Sequence, residues 1–401
     1  MHYLTWEARK HPVRPWTLLL VLCAMLLLNG YAESRATLDM STMGSESYLA
    51  AFDEVYSQVE GEITLENMQW VISEYSRLSA QIQSGQFSTE EDWENTYTGY
   101  TFQDSILFEQ LYADAKYAYE YGIHAAQIAS AAADNARYYA ERQNAALSGR
   151  YTAMADIYAQ RQIEDFYRTE GWADYAAYEF SNLLILLLVL LGLSPLFAME
   201  WDTGTKQLLQ VTPRGSALAR HGKLLLAAVY VWAVTTLFSA QDYLWFSRFY
   251  GFRGLGNPLY AIQEFSHTAL NIRIWQFLVL NYAARLLGVG VFSAQVLLLS
   301  AAVRSNLSAF GGGAALLMLQ VAAGAFCARA SVLPLLNIAE LCEDFTGNTL
   351  LGVFLPEVFQ QILVQGLLGA ACIALLCRLD RVGFSGRRKE RVYVPADQMA
   401  D

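Results

Sequence analysis

Hydrophobic residues in this chain collect into long runs separated by polar stretches. A helix needs about 20 mostly apolar residues to cross the hydrocarbon core of a bilayer. Six stretches approach that length: Trp16–Tyr31, Ser181–Met199, Leu224–Phe246, Trp275–Val303, Leu307–Ala328 and Val358–Cys377. The fourth is interrupted by Arg285 and the fifth is rich in glycine. The pattern predicts an all-α polytopic membrane protein with six transmembrane helices embedded in a lipid bilayer. Residues 1–32 form the N-terminus and first span, 33–180 a large aqueous segment, 181–377 spans two to six, and 378–401 a basic tail.

The aqueous segment also reads as helical, because it holds little Gly or Pro and much Ala and Tyr. From Leu107 a stripe runs through Leu111, Ala115, Ala118, Gly122, Ala125, Ala129, Ala132, Ala136 and Ala140. Its mean step is near 3.6, the helical period. Small residues along one stripe admit a second helix at close range. Ser41–Gln58 and Leu65–Gln83 are further helix candidates, with breaks near Gly61 and at 84–89. Residues 148–180 fit a last long helix returning to the membrane. Such a bundle serves either as a stalk or as a docking surface for cargo or a partner.

Charge divides the chain in the same way. The formal total is −11, yet residues 33–180 carry −17 and the remainder +6. An acidic segment of that size repels phosphates and excludes nucleic acid as its partner. Basic residues near span ends mark the cytoplasmic side. Arg9, Lys10 and Arg14 precede span one, and Lys206, Arg214, Arg220 and Lys223 separate spans two and three. Arg304 separates spans four and five, and Arg378, Arg381, Arg387, Arg388, Lys389 and Arg391 follow span six. The alternation puts both termini in the cytoplasm and residues 33–180 outside. The first run also fits the plan of a secretory signal peptide, with small residues around Ala32 as a cleavage point. None of the five cysteines lies in 33–180, so that segment has no disulfide framework.

The loop at 200–223 carries more pattern than a connector requires. Glu200 follows span two at the expected water boundary. Thr203-Gly204-Thr205 offers a helix start with a capping hydroxyl. Leu208 and Leu209 sit on a short amphipathic turn that ends at Thr212-Pro213. Gly215 and Lys223 lead into span three. The product is a short helix along the membrane face with apolar side chains exposed.

That arrangement resembles the permease subunits of ABC-2 type transporters. Their loop after span two commonly reads Glu, three residues, Gly-Thr, a Leu-Leu pair, Thr, a Gly-Arg turn and a Lys. Here these stand as Glu200, Gly204, Thr205, Leu208, Leu209, Thr212, Gly215 and Lys223. Ser216 departs from the family's Arg, with Arg214 beside it. Six spans, cytoplasmic termini and a long insertion after span one are similar to many bacterial members. So are "NPLYAIQEF" with "IRIWQFLVL" before span four and "LLSAAVRSNLSAF" between spans four and five. The resemblance covers about 180–377 and the first span, but not the insertion. It implies that the loop seats on a separate ABC ATPase subunit, which uses ATP and Mg. It also implies a second permease subunit, identical or related, and transport, with export as the expected direction, without a cofactor bound by this chain. Gly222-Lys223 is followed by Leu224, so the chain lacks a phosphate-binding loop of its own.

Other residues admit two readings each. Arg285 within span four contacts substrate along the transport path, pairs with a carboxylate, or snorkels. Gly288, Gly290, Gly311, Gly312, Gly313, Gly366 and Gly369 permit close helix packing or act as hinges. Pro195 kinks span two beside the loop. Glu340, Glu343 and Asp344 with Cys342 form a solvated acidic group rather than a metal site. No G-x-S-x-G or H-E-x-x-H is present, which makes a membrane enzyme the least favoured reading. The rival to a permease is a polytopic sensor whose outer domain detects a ligand or partner.

Overall fold

The computed structural model describes residues 15–40, 46–85, 91–206, 215–350 and 353–386. Among them, six helices are long and apolar enough to cross a membrane: Trp16–Thr37, Glu170–Asp202, Leu218–Tyr250, Ile274–Ala302, Asn306–Phe326 and Glu357–Leu379. The first lies within helix α1 (Pro15–Met40), which runs beyond Tyr31. The third lies within a helix that opens at Gly215 and reaches Tyr250, longer at both ends than Leu224–Phe246. The fourth and fifth match their expected starts within one residue. The fifth is capped by Ser305, whose Oγ accepts from the Ser308 N–H at 3.1 Å, satisfying an otherwise orphan donor.

The second and fourth spans form the middle of the bundle. They are 72% and 61% buried over their most apolar windows, against 11–28% for the other four. Ile185 and Val189 of the second pack with Phe238 of the third and Val289, Phe292 and Val296 of the fourth. The remaining spans turn apolar faces outward, including Leu20 and Leu27 of the first and Met318 of the fifth.

Between the first two spans lie α2 (Glu46–Ser57), α3 (Leu65–Gln83), α4 (Thr101–Glu141) and α5 (Ala145–Tyr158). Thr64 caps α3 through the Asn67 N–H, and Asn144 caps α5 through the Leu147 N–H, each at 3.1 Å. The small-residue stripe of α4 is its buried face from Leu107 to Ala136. Tyr121, rather than Gly122, occupies that face midway, and Ala140 is exposed. The aromatic groups Tyr56, Phe108, Tyr158 and Phe166 complete this core.

Two expectations fail here. Residues 148–180 are not one helix: α5 ends at Tyr158, a loop and strand follow, and a short helix α6 (Glu170–Ala177) precedes the second span. Nor is the chain wholly α. Strand β1 (Gly61–Glu62) pairs antiparallel with β2 (Asp165–Phe166), and β3 (Gly347–Leu350) with β4 (Val353–Pro356). Gly61 takes φ +103°, a conformation glycine adopts without a Cβ penalty, and this lets the chain leave α2 into β1.

The inserted helices rest on the connections between later spans. Arg161 is buried and donates from Nη2 to the Thr268 carbonyl at 2.7 Å and from Nε to Asn271 Oδ1 at 2.8 Å. Its guanidinium lies between the rings of Tyr158 and Tyr260, 4.3 and 4.7 Å from their centres. Tyr117 and Tyr121 donate to the carbonyls of Tyr260 and Ser266 at 2.7 and 3.0 Å. Arg150 donates to the Phe345 carbonyl at 2.7 Å, beside the β3–β4 pair.

Two outcomes follow from this packing. Arg161→Met leaves buried carbonyls without donors, at a cost of about 3 kcal/mol. Limited proteolysis should then cut 255–273 faster than in the unsubstituted protein, and an unchanged rate would refute the docking role. The second concerns Asp114, which accepts from the Tyr56 hydroxyl at 2.9 Å. Desolvation raises its carboxyl from 3.8 to about 6. The folded state therefore binds the extra proton between those values. The stabilisation is fully present below about 4 and lost as pH rises through 6, on the order of 2–3 kcal/mol. Asp114→Asn should flatten that limb of the melting temperature against pH.

Candidate functional site

The end of the second span begins with a break in its own ladder. The helix Phe180–Leu193 stops at Ser194, and Pro195 opens the next turn, α8 (Pro195–Asp202). Proline has no N–H to donate, and the N–H groups just after it have lost their usual acceptors. Phe197 and Ala198 both donate to Ser300 Oγ of the fourth span at 3.1 Å. The expected kink is thus a specific joint between two spans.

Glu200 sits inside α8 and is buried, not at a water boundary. Its Oε1 lies 2.6 Å from Lys223 Nζ, and Lys206 stands 3.9 Å away. Lys223 is 2% exposed and also donates to the Leu196 carbonyl at 2.6 Å. One ammonium therefore neutralises Glu200 and satisfies a carbonyl of the same short helix. Such an arrangement is stable only while all its members are present, since a lone buried charge is costly.

Thr203 and Gly204 close α8, and a helix starts again at Thr205, as the pattern of the segment predicts. The Thr203 hydroxyl returns to the Met199 carbonyl at 2.8 Å. Gly204 takes φ +71°, the left-handed turn that commonly closes a helix. Helical residues resume at Thr205, whose hydroxyl is 3.0 Å from that of Thr203. Leu208, Leu209 and Thr212 lie outside the described residues, as do Arg214 and the basic segments at 9–14 and 387–391. Gly215 opens the helix of the third span.

Sequence patterns did not reveal the partners on the neighbouring turn. Asp202 Oδ2 accepts from the Asn306 N–H at 3.0 Å, placing a carboxylate at the start of the fifth span. Arg304 lies over the Trp201 ring at 5.4 Å and Lys206 at 5.8 Å. Nothing in the sequence around Asn306 named Asp202.

The opposite end of the second span holds Arg285. It pairs with a carboxylate and does not snorkel. Nη1 reaches Asp242 Oδ2 and Ser239 Oγ at 3.0 Å each, Nε reaches Asn182 Oδ1 at 2.7 Å, and Nη2 donates to the Ser181 hydroxyl. All three nitrogens are engaged within the bundle. Asn29 of the first span donates to Asp242 Oδ1 at 2.9 Å and Glu33 Oε1 at 3.0 Å.

The glycines divide by what surrounds them. A Cβ on Gly288 would meet Leu335 at 3.0 Å, one on Gly312 would meet Leu299 at 2.8 Å, and one on Gly369 would meet Val291 at 3.0 Å. A Cβ on Gly313 would overlap Leu190. These four permit close packing, whereas Gly290, Gly311 and Gly366 face open space. Gly290 and Gly366 line an apolar cavity of about 740 Å³ between the third, fourth and sixth spans, with Val231, Trp232 and Ile373.

Glu340, Glu343 and Asp344 gather around α13 (Ala339–Glu343), after α12 (Leu333–Leu336). Cys342 is buried there, and burial pushes its thiol up to about 12, which makes it a poor nucleophile. Among the described residues no group of three or more His, Cys, Asp or Glu side chains is placed to hold a metal ion. No protein-family model, curated protein or solved structure matches the chain.

The Glu200–Lys223 pair predicts a strong double-mutant coupling. Lys223→Met and Glu200→Gln should each destabilise the protein by about 3 kcal/mol, the former more. The double variant should recover at least about 1 kcal/mol of the summed loss. Additive shifts in detergent melting curves would show that the two side chains act independently.

Proposed function

We propose that this chain is the membrane-spanning permease subunit of an ABC transporter, an exporter of the bacterial cell membrane. A separate ABC ATPase subunit binds ATP and Mg, and this chain converts its motion into movement of the spans. A second permease subunit, identical or related, completes the pathway. Both termini and the 200–223 loop face the cytoplasm in this reading, and residues 33–180 face outward.

The observation that carries the reading is the Glu200–Lys223 clamp. It ties the base of the loop to the ends of the second and third spans through buried, short contacts. The Pro195–Ser300 joint and the Asp202–Asn306 contact extend that link to the fourth and fifth spans. A force applied to the loop is therefore delivered to four helices at once, as rigid-body switching requires. Glu200 and Lys223 act as positioning residues, while Leu208 and Leu209 are the side chains offered to the ATPase. The cavity lined by Gly290 and Gly366 gives an apolar cargo room beside the moving spans.

A specific feature supports the sensor alternative. A groove of about 640 Å³ on the inserted helices is lined by Tyr119, Ile123 and Gln162 together with Glu62, Glu164 and Asp165. The two readings part on one measurement. The tagged chain, purified in mild detergent from its own host, should bring down a stoichiometric ATPase. Leu208→Asp with Leu209→Asp should release that ATPase while membrane insertion stays intact. A chain that purifies without ATPase activity would sink the permease reading and leave the sensor.

A further inference from the structure

The buried network around Arg285 contains one more carboxylate than it has cations. Glu33 is 0% exposed, Asp242 3% and Arg285 6%. Asp242 is the partner of the guanidinium: its Oδ2 also accepts from the Ser181 hydroxyl at 2.7 Å, and its Oδ1 from Asn29. Glu33 has only neutral donors, Asn29 at 3.0 Å and Gln241 at 3.1 Å.

The two carboxyl groups share the Asn29 amide nitrogen, which lies 3.0 Å from Glu33 Oε1 and 2.9 Å from Asp242 Oδ1 and so holds the two oxygens within about 6 Å of each other. Two ionised carboxylates have no hydrogen to place between them and repel at that distance. Among the described residues, the other groups facing the site do not supply a second positive charge. Tyr178 donates to Asn29 Oδ1 at 2.9 Å, and Tyr175 lies near Asp242 and Arg285. Glu179, at the head of the second span, adds negative charge on the Arg285 side. Every oxygen of the pair already accepts from an N–H or O–H, which leaves no open oxygen cage for a metal cation.

We infer that the Glu33–Asp242 pair is a proton-binding site within the membrane-spanning bundle, holding one proton at neutral pH with Glu33 as its carrier. One proton joins a carboxylate oxygen, the O–H lies between the two carboxyls, and the network passes from a net charge of −1 to zero. Neutrality removes the charge-burial penalty that an uncompensated carboxylate carries in a lipid-embedded site. The proton also fixes how the first span meets the third, because Glu33 and Asn29 are the first span's polar contacts with Gln241 and Asp242. This goes beyond transport by an ATPase-driven permease and does not depend on it.

The test uses the full chain in detergent at pH 7, with carbon-13 at its glutamate and aspartate side-chain carboxyls. Infrared spectroscopy should show a protonated-carboxyl band that shifts with the label and disappears in Glu33→Gln. That variant should melt as the unsubstituted protein does, since an amide mimics the neutral acid. Asp242→Asn should lose the band as well, because Glu33 is then the single carboxylate opposite Arg285. An unsubstituted protein without the band, or a band that survives in either variant, overturns the site. If Glu33→Gln does not fold, the unsubstituted spectrum and Asp242→Asn still decide.

Discussion

A guanidinium keeps its charge at any accessible pH, so placing Arg285 inside a lipid-embedded bundle dictates what must surround it. Five donors need acceptors, and no water is at hand to supply them. Asn182 and Ser181 come from the second span, Ser239 and Asp242 from the third. Asp242 then needs further donors, and Asn29 of the first span provides one. The requirement of one side chain thus fixes the register of four helices. Apolar packing between such helices is permissive by comparison, since lipid tails are as apolar as Leu and Val. Sliding any of the four by one turn would leave a charge unanswered.

The second span meets the same constraint at its other end through its backbone. Pro195 interrupts the ladder, Ser300 Oγ accepts from the N–H groups just after it, and Lys223 donates to the Leu196 carbonyl. The most buried span is therefore also the one stitched at both ends by polar contacts to its neighbours. Its middle, from Leu184 to Leu193, is apolar and close-packed. Rigidity at the ends and featureless contact between them suit an element that moves as a unit.

Much of this fold was legible in the sequence because its causes are local. Apolar run length located six spans, and small-residue spacing located the buried face of α4. Gly122 and Tyr121 exchange roles because a tyrosine hydroxyl was needed to reach the Ser266 carbonyl, a partner far along the chain. The same reason hid the strands. β1 and β2 are two residues each and exist only because the chain returns to 165–166 after α5. Thr203 was a credible cap by composition, yet its hydroxyl serves the helix before it. Glu200 looked exposed because a charge at a span end usually is; the lysine that buries it lies 23 residues on. Arg285 was conspicuous, but its partners on two other helices could not be chosen from a list of polar residues.

The docking of the inserted helices onto later connections has a consequence for how the protein is made. Tyr117 is separated by 143 residues from the carbonyl it bonds, and Arg150 by 195 residues from its own. At about 5–20 residues per second, synthesis delivers those partners roughly 7–40 seconds after the helices themselves emerge. For that interval the nascent chain displays an aromatic and cationic face with nothing to receive it. The alanine-rich stripe of α4 closes internally against α5 in the meantime, so what waits is a preformed surface rather than an unfolded segment. Biogenesis of this protein is therefore an ordered assembly, in which the early domain is a template that the last spans must find.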